Sequence, residues 1–256
     1  MDSGSAPGSP NGTSLRRRLR SLSPWDIAVA LSVLVLAFAG AAMGALRLTS
    51  GSTSSASVVI RQPLTQVELT VERGDVEVLG GGGQNPVVLR HVDRSSFGHE
   101  PSEQRSVRGG VLRVRSRCPT ILLGFCSTDY RLIVPDNVAV SVKSLHGGIT
   151  LDAVHGSADL ETDDGPIKVD AFCGFVLHAA TNGGRIEVGT SCSPQRLELI
   201  SSSGDISAVV PQGHYEVEAG SSSGRTNVRG LASERGAPWS IQAISNSGDI
   251  DLQAAS

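Results

Sequence analysis

A turn signature, Ser/Thr-x-x-Gly-x-Ile/Thr, occurs six times in the second half of the chain. The copies are Ser144–Ile149, Thr162–Ile167, Thr181–Ile186, Ser201–Ile206, Ser221–Thr226 and Ser245–Ile250. Their glycines, Gly147, Gly165, Gly184, Gly204, Gly224 and Gly248, lie 18, 19, 20, 20 and 24 residues apart. A near-constant period of this size demands a repeat architecture, because one short unit leaves its apolar face bare until another stacks on it.

Residues alternate around each turn. Phe175-Val-Leu-His-Ala179 and Tyr215-Glu-Val-Glu-Ala219 precede two copies, while Ile149-Thr-Leu151, Ile167-Lys-Val169 and Ile186-Glu-Val188 follow others. Period-two alternation bounded by Gly, Ser, Asn and Asp predicts short strands with one buried face. No stretch after residue 48 has helical periodicity. The turn glycine is expected to supply backbone angles that a Cβ forbids, and the hydroxyl three residues earlier to bind local backbone groups. The motif is thus explained structurally, without a ligand.

The expected fold class is all-β, a β-solenoid of stacked ~20-residue rungs. An antiparallel β-sandwich is the alternative, because a stacked rung and a successive hairpin read alike. Residues 144–256 form the regular repeats and 58–143 the N-terminal part of the same domain. There, Val67–Val78 is a degenerate copy with Val71 at the hydroxyl position, and Gly80–Gly83 reads as a hairpin tip.

Ile27 to Leu46 carries no charge over twenty residues, enough at about 1.5 Å per residue to cross a ~30 Å hydrocarbon core. Arg16, Arg17, Arg18 and Arg20 precede it and only Arg47 follows closely, which places the N-terminus in the cytoplasm and the bulk outside. The expectation is a disordered cytoplasmic tail (1–26), a single transmembrane helix (27–46) and a flexible stalk (47–57). A cleaved signal peptide is the competing reading, but its apolar region normally spans only about 7–15 residues.

From residue 48 onward there are 17 basic and 23 acidic residues, so no overall basic footprint for nucleic acid exists. The balance is uneven: residues 59–143 carry 11 basic and 9 acidic groups, and residues 144–256 carry 6 and 14. All four cysteines follow the expected span, on the exported side where disulfides can persist. Cys173 and Cys192 are one period apart and would occupy neighbouring rungs about 4.8 Å apart, while Cys118 and Cys126 could close the apolar loop between them. Four cysteines allow three connectivities, of which this pairing is preferred. No His or Cys pair has zinc-ligand spacing, so no metal or cofactor is expected.

The sequence Tyr130-Arg-Leu-Ile-Val-Pro135, followed by repeated Ser-x-Ser-Gly-Asp-Ile units, resembles the bacterial "putative adhesin" β-strand-repeat family, a domain of unknown function. The resemblance covers roughly residues 60–254 and implies an envelope-associated β-repeat domain without catalytic residues to carry over.

Other motifs have structural readings. Gly220-Ser-Ser222-Ser-Gly224 matches a nucleophile elbow, yet strand-like residues follow where that motif needs a helix. Asp75, Asp205 and Asp249 follow turn glycines but lack the nine-residue period of calcium-binding repeats. The six histidines form no recognisable triad. Arg113, Arg115 and Arg117 share one strand face and are the best candidate binding patch, for anionic envelope polymers, lipid heads or other surface proteins. The chain is therefore read as a non-enzymatic, single-pass envelope protein for surface interaction. Envelope-stress sensing is the alternative, and a polysaccharide-acting enzyme the least favoured reading.

Overall fold

Short alternating segments separated by glycine- and hydroxyl-rich turns become strands wherever one face can be buried. The computed structural model realises this throughout the C-terminal four-fifths of the chain. It describes residues 24–49, 51–83, 86–120 and 124–255, with side chains in the helix described at 25, 28–29, 31–41 and 44.

Helix α1 (Pro24–Thr49) contains the expected span. Among the described residues no helix is long and apolar enough to cross a membrane. The tail expectation falls mainly on residues 1–23, which lie outside the described residues. The chain divides into two compact units, one ending at Arg47 and one comprising Leu48–Ser256.

The larger unit begins with β1 (Ser52–Ile60), β2 (Gln66–Arg73), β3 (Val76–Gly80) and β4 (Val87–Ser95). Next come β5 (Ser102–Arg108), β6 (Val111–Arg117) and β7 (Cys126–Val134). The repeats supply β8 (Ala139–His146), β9 (Ile149–Asp152), β10 (Ala158–Thr162) and β11 (Ile167–Phe172). They continue with β12 (Val176–Thr181), β13 (Ile186–Thr190), β14 (Arg196–Ser201) and β15 (Ile206–Val210). The last strands are β16 (His214–Ser221), β17 (Thr226–Arg229), β18 (Ala232–Ser233), β19 (Trp239–Ser245) and β20 (Ile250–Ala254).

These strands form two ten-stranded sheets. Sheet I has the order β1-β4-β7-β3-β9-β11-β13-β15-β20-β17, and sheet II the order β18-β16-β19-β14-β12-β10-β8-β2-β6-β5. Each turn signature carries the chain from a strand of sheet II to one of sheet I. Strands one repeat apart then pair in parallel and in phase, so equivalent residues stack. Ile149, Ile167, Ile186, Ile206 and Ile250 are successive partners, each at most 1% exposed. Burying each contributes roughly 1.5–3 kcal/mol. Val142, Leu160, Ala179, Leu199 and Ala243 make a corresponding buried row in sheet II.

The pairing is not antiparallel as in the alternative expectation. Among the described residues antiparallel pairs are confined to β1–β4, β4–β7 and β5–β6. Chain order and stacking order also part company at the end. The β19–β20 rung lies between β14–β15 and β16–β17, and β18 is added outside β16. The longest glycine spacing, 24 residues, spans this detour.

Two expectations are corrected. The segment expected as a stalk over 47–57 contains the start of β1, in which Ser52–Ser57 pair with β4. Backbone hydrogen bonds on a sheet edge need no apolar side chains, so Ser-rich sequence does not preclude a strand. Gly80–Gly83 is not a hairpin tip, because β7 separates β3 from β4. That loop is tied down instead by Gly81 N–H to Val134 O (2.7 Å) and Gly83 N–H to Asp136 Oδ2 (2.9 Å).

Both preferred disulfides are present. Cys173–Cys192 joins neighbouring rungs with Cα atoms 4.8 Å apart. Cys118–Cys126 has a Cα separation of 5.8 Å and joins the end of β6 to the start of β7.

Candidate functional site

The repeated turn is a structural device. Thr181 Oγ1 accepts from Gly184 N–H (2.9 Å) and donates to Gly165 O of the preceding rung (3.2 Å). Thr162, Ser201, Ser245 and Ser221 make the same two bonds, building a hydroxyl ladder along one edge of the stack. Ser144 heads the row without it, and its buried Oγ has no hydrogen-bond partner among the described residues.

The expected reason for glycine is corrected for most copies. Only Gly147, at φ +150°, has the positive φ that disfavours side chains. At Gly165, Gly184, Gly204, Gly224 and Gly248 a Cβ would instead collide with the carbonyl of the adjacent rung's glycine. The close approach of adjacent rungs, rather than a left-handed backbone, requires the missing side chain.

The turn aspartates belong to the same scheme. Asp75 Oδ1 accepts Gly148 N–H (2.8 Å), Asp205 Oδ1 accepts Asp249 N–H (2.9 Å) and Asp249 Oδ1 accepts Arg225 N–H (2.8 Å). The Arg225 amide and then its guanidinium hold the Asp249 carboxyl below the usual carboxylate range. Ser222 of the Gly-x-Ser-x-Gly match lies in the turn before β17, bonded to Asn246 Oδ1 at 3.4 Å. A strand follows it, so the elbow geometry is absent.

On the outer face of sheet II the strand register arranges polar side chains in rows. Arg113 of β6 stands beside Glu68 of β2, with Nε 2.6 Å from Oε2. That hydrogen bond, with the carboxylate's charge, raises the guanidinium further above its ordinary value. One step along the strands, Arg115 lies between Gln104 and Thr70. Arg117 lies opposite Ser102. Both are exposed and neither has a carboxylate partner among the described residues. Glu72, the nearest acid in sequence register, is engaged by Cys118 N–H at 3.1 Å.

The three arginines therefore share a face, as their alternation predicts, but only Arg115 and Arg117 are electrostatically available. Two other arginines do not join the patch. Arg131 is on sheet I, 3.3 Å from Glu77, and Arg105 binds Glu103. Glu103 also accepts the Tyr130 hydroxyl at 3.0 Å and lies 3.3 Å from His91 Nδ1. This network closes the apolar core at its N-terminal end. Burial, and secondarily the charges of Glu103 and Asp93, push the Tyr130 phenol well above its ordinary range.

Sequence reasoning missed the histidine–carboxylate pairs. His178 Nδ1 is 2.7 Å from Asp159, His146 Nδ1 2.8 Å from Asp164, and His214 Nδ1 3.1 Å from Glu234. Their separations of 19, 18 and 20 residues match one repeat period, which is the signal that could have revealed them. Asp159, Glu161 and His178 bring three potential metal-ligating atoms within 4.8 Å of one another. Each is already engaged: Asp159 with His178 and Ser141, and Glu161 with Lys143 Nζ at 2.8 Å. Asp159 sits between Ser141 and His178, so the imidazole is not placed to take the serine proton.

At the other end of the same face, Glu198, Glu216, Glu218 and Glu234 line an open groove with Arg196 and Arg235. Glu218 accepts from Gln242 Nε2 at 3.0 Å. Sheet II thus runs from a basic end at β6 to an acidic end at β16.

A search of curated proteins finds no match. Among solved structures, a "putative adhesin" from Bacteroides fragilis is similar at TM-score 0.50 and 11% identity, covering 81% of this chain and 99% of that one. A "putative cell adhesion protein" from Clostridium sporogenes aligns at TM-score 0.47 and 10% identity, covering 80% of this chain and 100% of that one. Likeness at such identity concerns the fold. The family model that matches is Toastrack DUF4097, over residues 128–253. That segment holds β8–β19 and nearly all of β7 and β20, with every copy of the turn signature, and over it the chain is similar to the Toastrack DUF4097 family.

Proposed function

We propose that this is a non-enzymatic, single-pass envelope protein whose β-rich unit is a solenoid, held outside the membrane for surface interaction. Its cytoplasmic N-terminus and membrane anchor are supported by the arginine cluster and by the uncharged run Ile27–Leu46. In-phase parallel rungs support the solenoid reading.

One observation carries the choice of binding surface. Among the described residues Arg115 and Arg117 have no carboxylate partner on an exposed sheet face that also carries Arg113 and Lys143, which Glu68 and Glu161 neutralise. Two adjacent uncompensated guanidiniums suit phosphate or carboxylate groups, which they can bind in forked pairs. The partner chemistry is therefore an anionic envelope polymer or lipid head. Retention of the purified full chain on immobilised polyphosphate tests this. R115Q/R117Q should weaken binding several-fold and flatten its salt dependence, whereas R113Q should change little. Equal losses in all variants would defeat the assignment.

The acidic groove favours one second reading, action on envelope polysaccharide through a carboxylate pair. Release of reducing ends from cell-wall polysaccharide by the wild-type chain, lost in E216Q/E218Q, would support it. No release would remove it.

A further inference from the structure

The strands β1, β4 and β7 meet at one corner, where Ser52 pairs with Ser95 and Ser95 with Cys126. The corner is firmly built. Phe125 N–H donates to Ser96 Oγ (2.8 Å), Ser96 N–H donates to Phe125 O (3.0 Å), and Ser52 Oγ and Ser95 Oγ are 2.8 Å apart. The Cys118–Cys126 disulfide fastens its base to β6, and Ser95, Ser96 and Cys126 are buried.

On this rigid support two aromatic rings face solvent. Phe97 is 42% and Phe125 50% exposed, whereas Phe172 is fully buried in the core. Phe97 also has φ +56°, a left-handed conformation that is unfavourable for a bulky aromatic. Gly124, at φ +104°, gives its ring room: a Cβ there would lie 2.7 Å from Phe97 Cδ2. Strain retained to hold an apolar side chain outward points to a use for it.

Chain connectivity limits how far the corner can be from the helix end. Only two residues separate Thr49, the end of α1, from Ser52, the start of β1. At no more than about 3.6 Å per residue, Ser52 lies within roughly 11 Å of the helix end. Phe125 is beside that junction, since a Cβ on Gly51 would lie 3.1 Å from Phe125 Cζ. Arg117, one residue before the disulfide, adds an exposed cation near the same place.

We propose that Phe97 and Phe125, with Arg117 behind them, rest in the interfacial layer of the chain's own membrane. The inference depends on the anchor proposed above for residues 27–46. Aromatic rings suit the headgroup level, and an arginine beside them meets lipid phosphate.

The test uses the full chain in vesicles of phosphatidylethanolamine and phosphatidylglycerol with brominated acyl chains. Phe125→Trp is introduced alone into a W25F/W239F background, so that the new indole is the only one. Phe175→Trp in the same background is the control, because Phe175 is 73% exposed at the turn between β11 and β12. Expected are blue-shifted, quenched emission for the F125W chain and water-like, unquenched emission for the F175W chain. Absence of free thiols verifies that each variant has formed its disulfides. Equal behaviour of the two indoles, quenched or not, overturns the proposal. Carbonate extraction is read separately. Retention with F125W unquenched keeps the anchor and sinks the corner, whereas release with F125W quenched breaks the anchor and keeps the lipid contact.

Discussion

The rungs from residue 144 onward and the strands before them use similar alternating sequences to different ends. In the later rungs every device closes on itself: hydroxyls bridge adjacent glycines, isoleucines stack, and aspartates cap the next rung's amides. Most of their basic groups pair as well, as in Lys168–Asp170 and Arg229–Asp251. The earlier strands break the pattern with antiparallel pairs, a left-handed Phe97, a polar network around Tyr130 and unpaired Arg115 and Arg117. Regularity serves stability, and the departures from it gather where binding is proposed.

The sharpest way to break this contrast is a methyl group in the ladder. Gly184→Ala should cost about 4 kcal/mol or more, or prevent folding, because the colliding Gly165 carbonyl belongs to a packed rung. Gly220→Ala, with open space around it, should stay within about 0.5 kcal/mol of wild type. Urea unfolding distinguishes them, and similar midpoints would refute the close-approach account.

Next in size are the disulfides. Replacing Cys173 and Cys192 by Ser should lower stability by about 3 kcal/mol through the freed unfolded chain. The Cys118/Cys126 pair closes a shorter loop and should cost about 0.8 kcal/mol less by the same reasoning. The reverse order would place more folding stability in the irregular half than its architecture suggests.

Thr181→Val should cost about 1–3 kcal/mol, since it strands the Gly184 amide and the Gly165 carbonyl, whereas Thr181→Ser should recover most of it. Val71 shows that the first, degenerate copy dispenses with this hydroxyl.

The smallest effects are in pH dependence, with opposite signs in the two regions. The Tyr130 phenol is raised on folding, so its contribution is intact below the ordinary tyrosine value of about 10 and is lost as pH rises beyond it. Y130F should flatten that alkaline limb. Asp249 is lowered, so its contribution is present above the ordinary carboxylate value and disappears as pH falls below it. D249N should flatten the acid limb, and midpoints followed across pH would expose a wrong sign in either case.

Much of the fold was legible because it rests on local pattern. Alternation marked the strands, the glycine period marked the rungs, and the 19-residue interval between Cys173 and Cys192 marked a contact across one rung. The Ser-rich start of β1 escaped notice because its strand is held by polar pairing with β4 rather than by apolar side chains. The site was only partly legible. Alternation put Arg113, Arg115 and Arg117 on one face, but Glu68 is 45 residues from the arginine it neutralises.

Residue chemistry and spacing sufficed for the all-β class, the unit length, the disulfides and the uncharged N-terminal run. Stacking alone decided the rest: that glycine is needed for close approach, that β19–β20 slots inside β16–β17, and that Glu68 neutralises Arg113 but not Arg115 or Arg117. Those outcomes depend on which chain segments meet across the sheets, and a one-dimensional pattern specifies faces and periods but not neighbours.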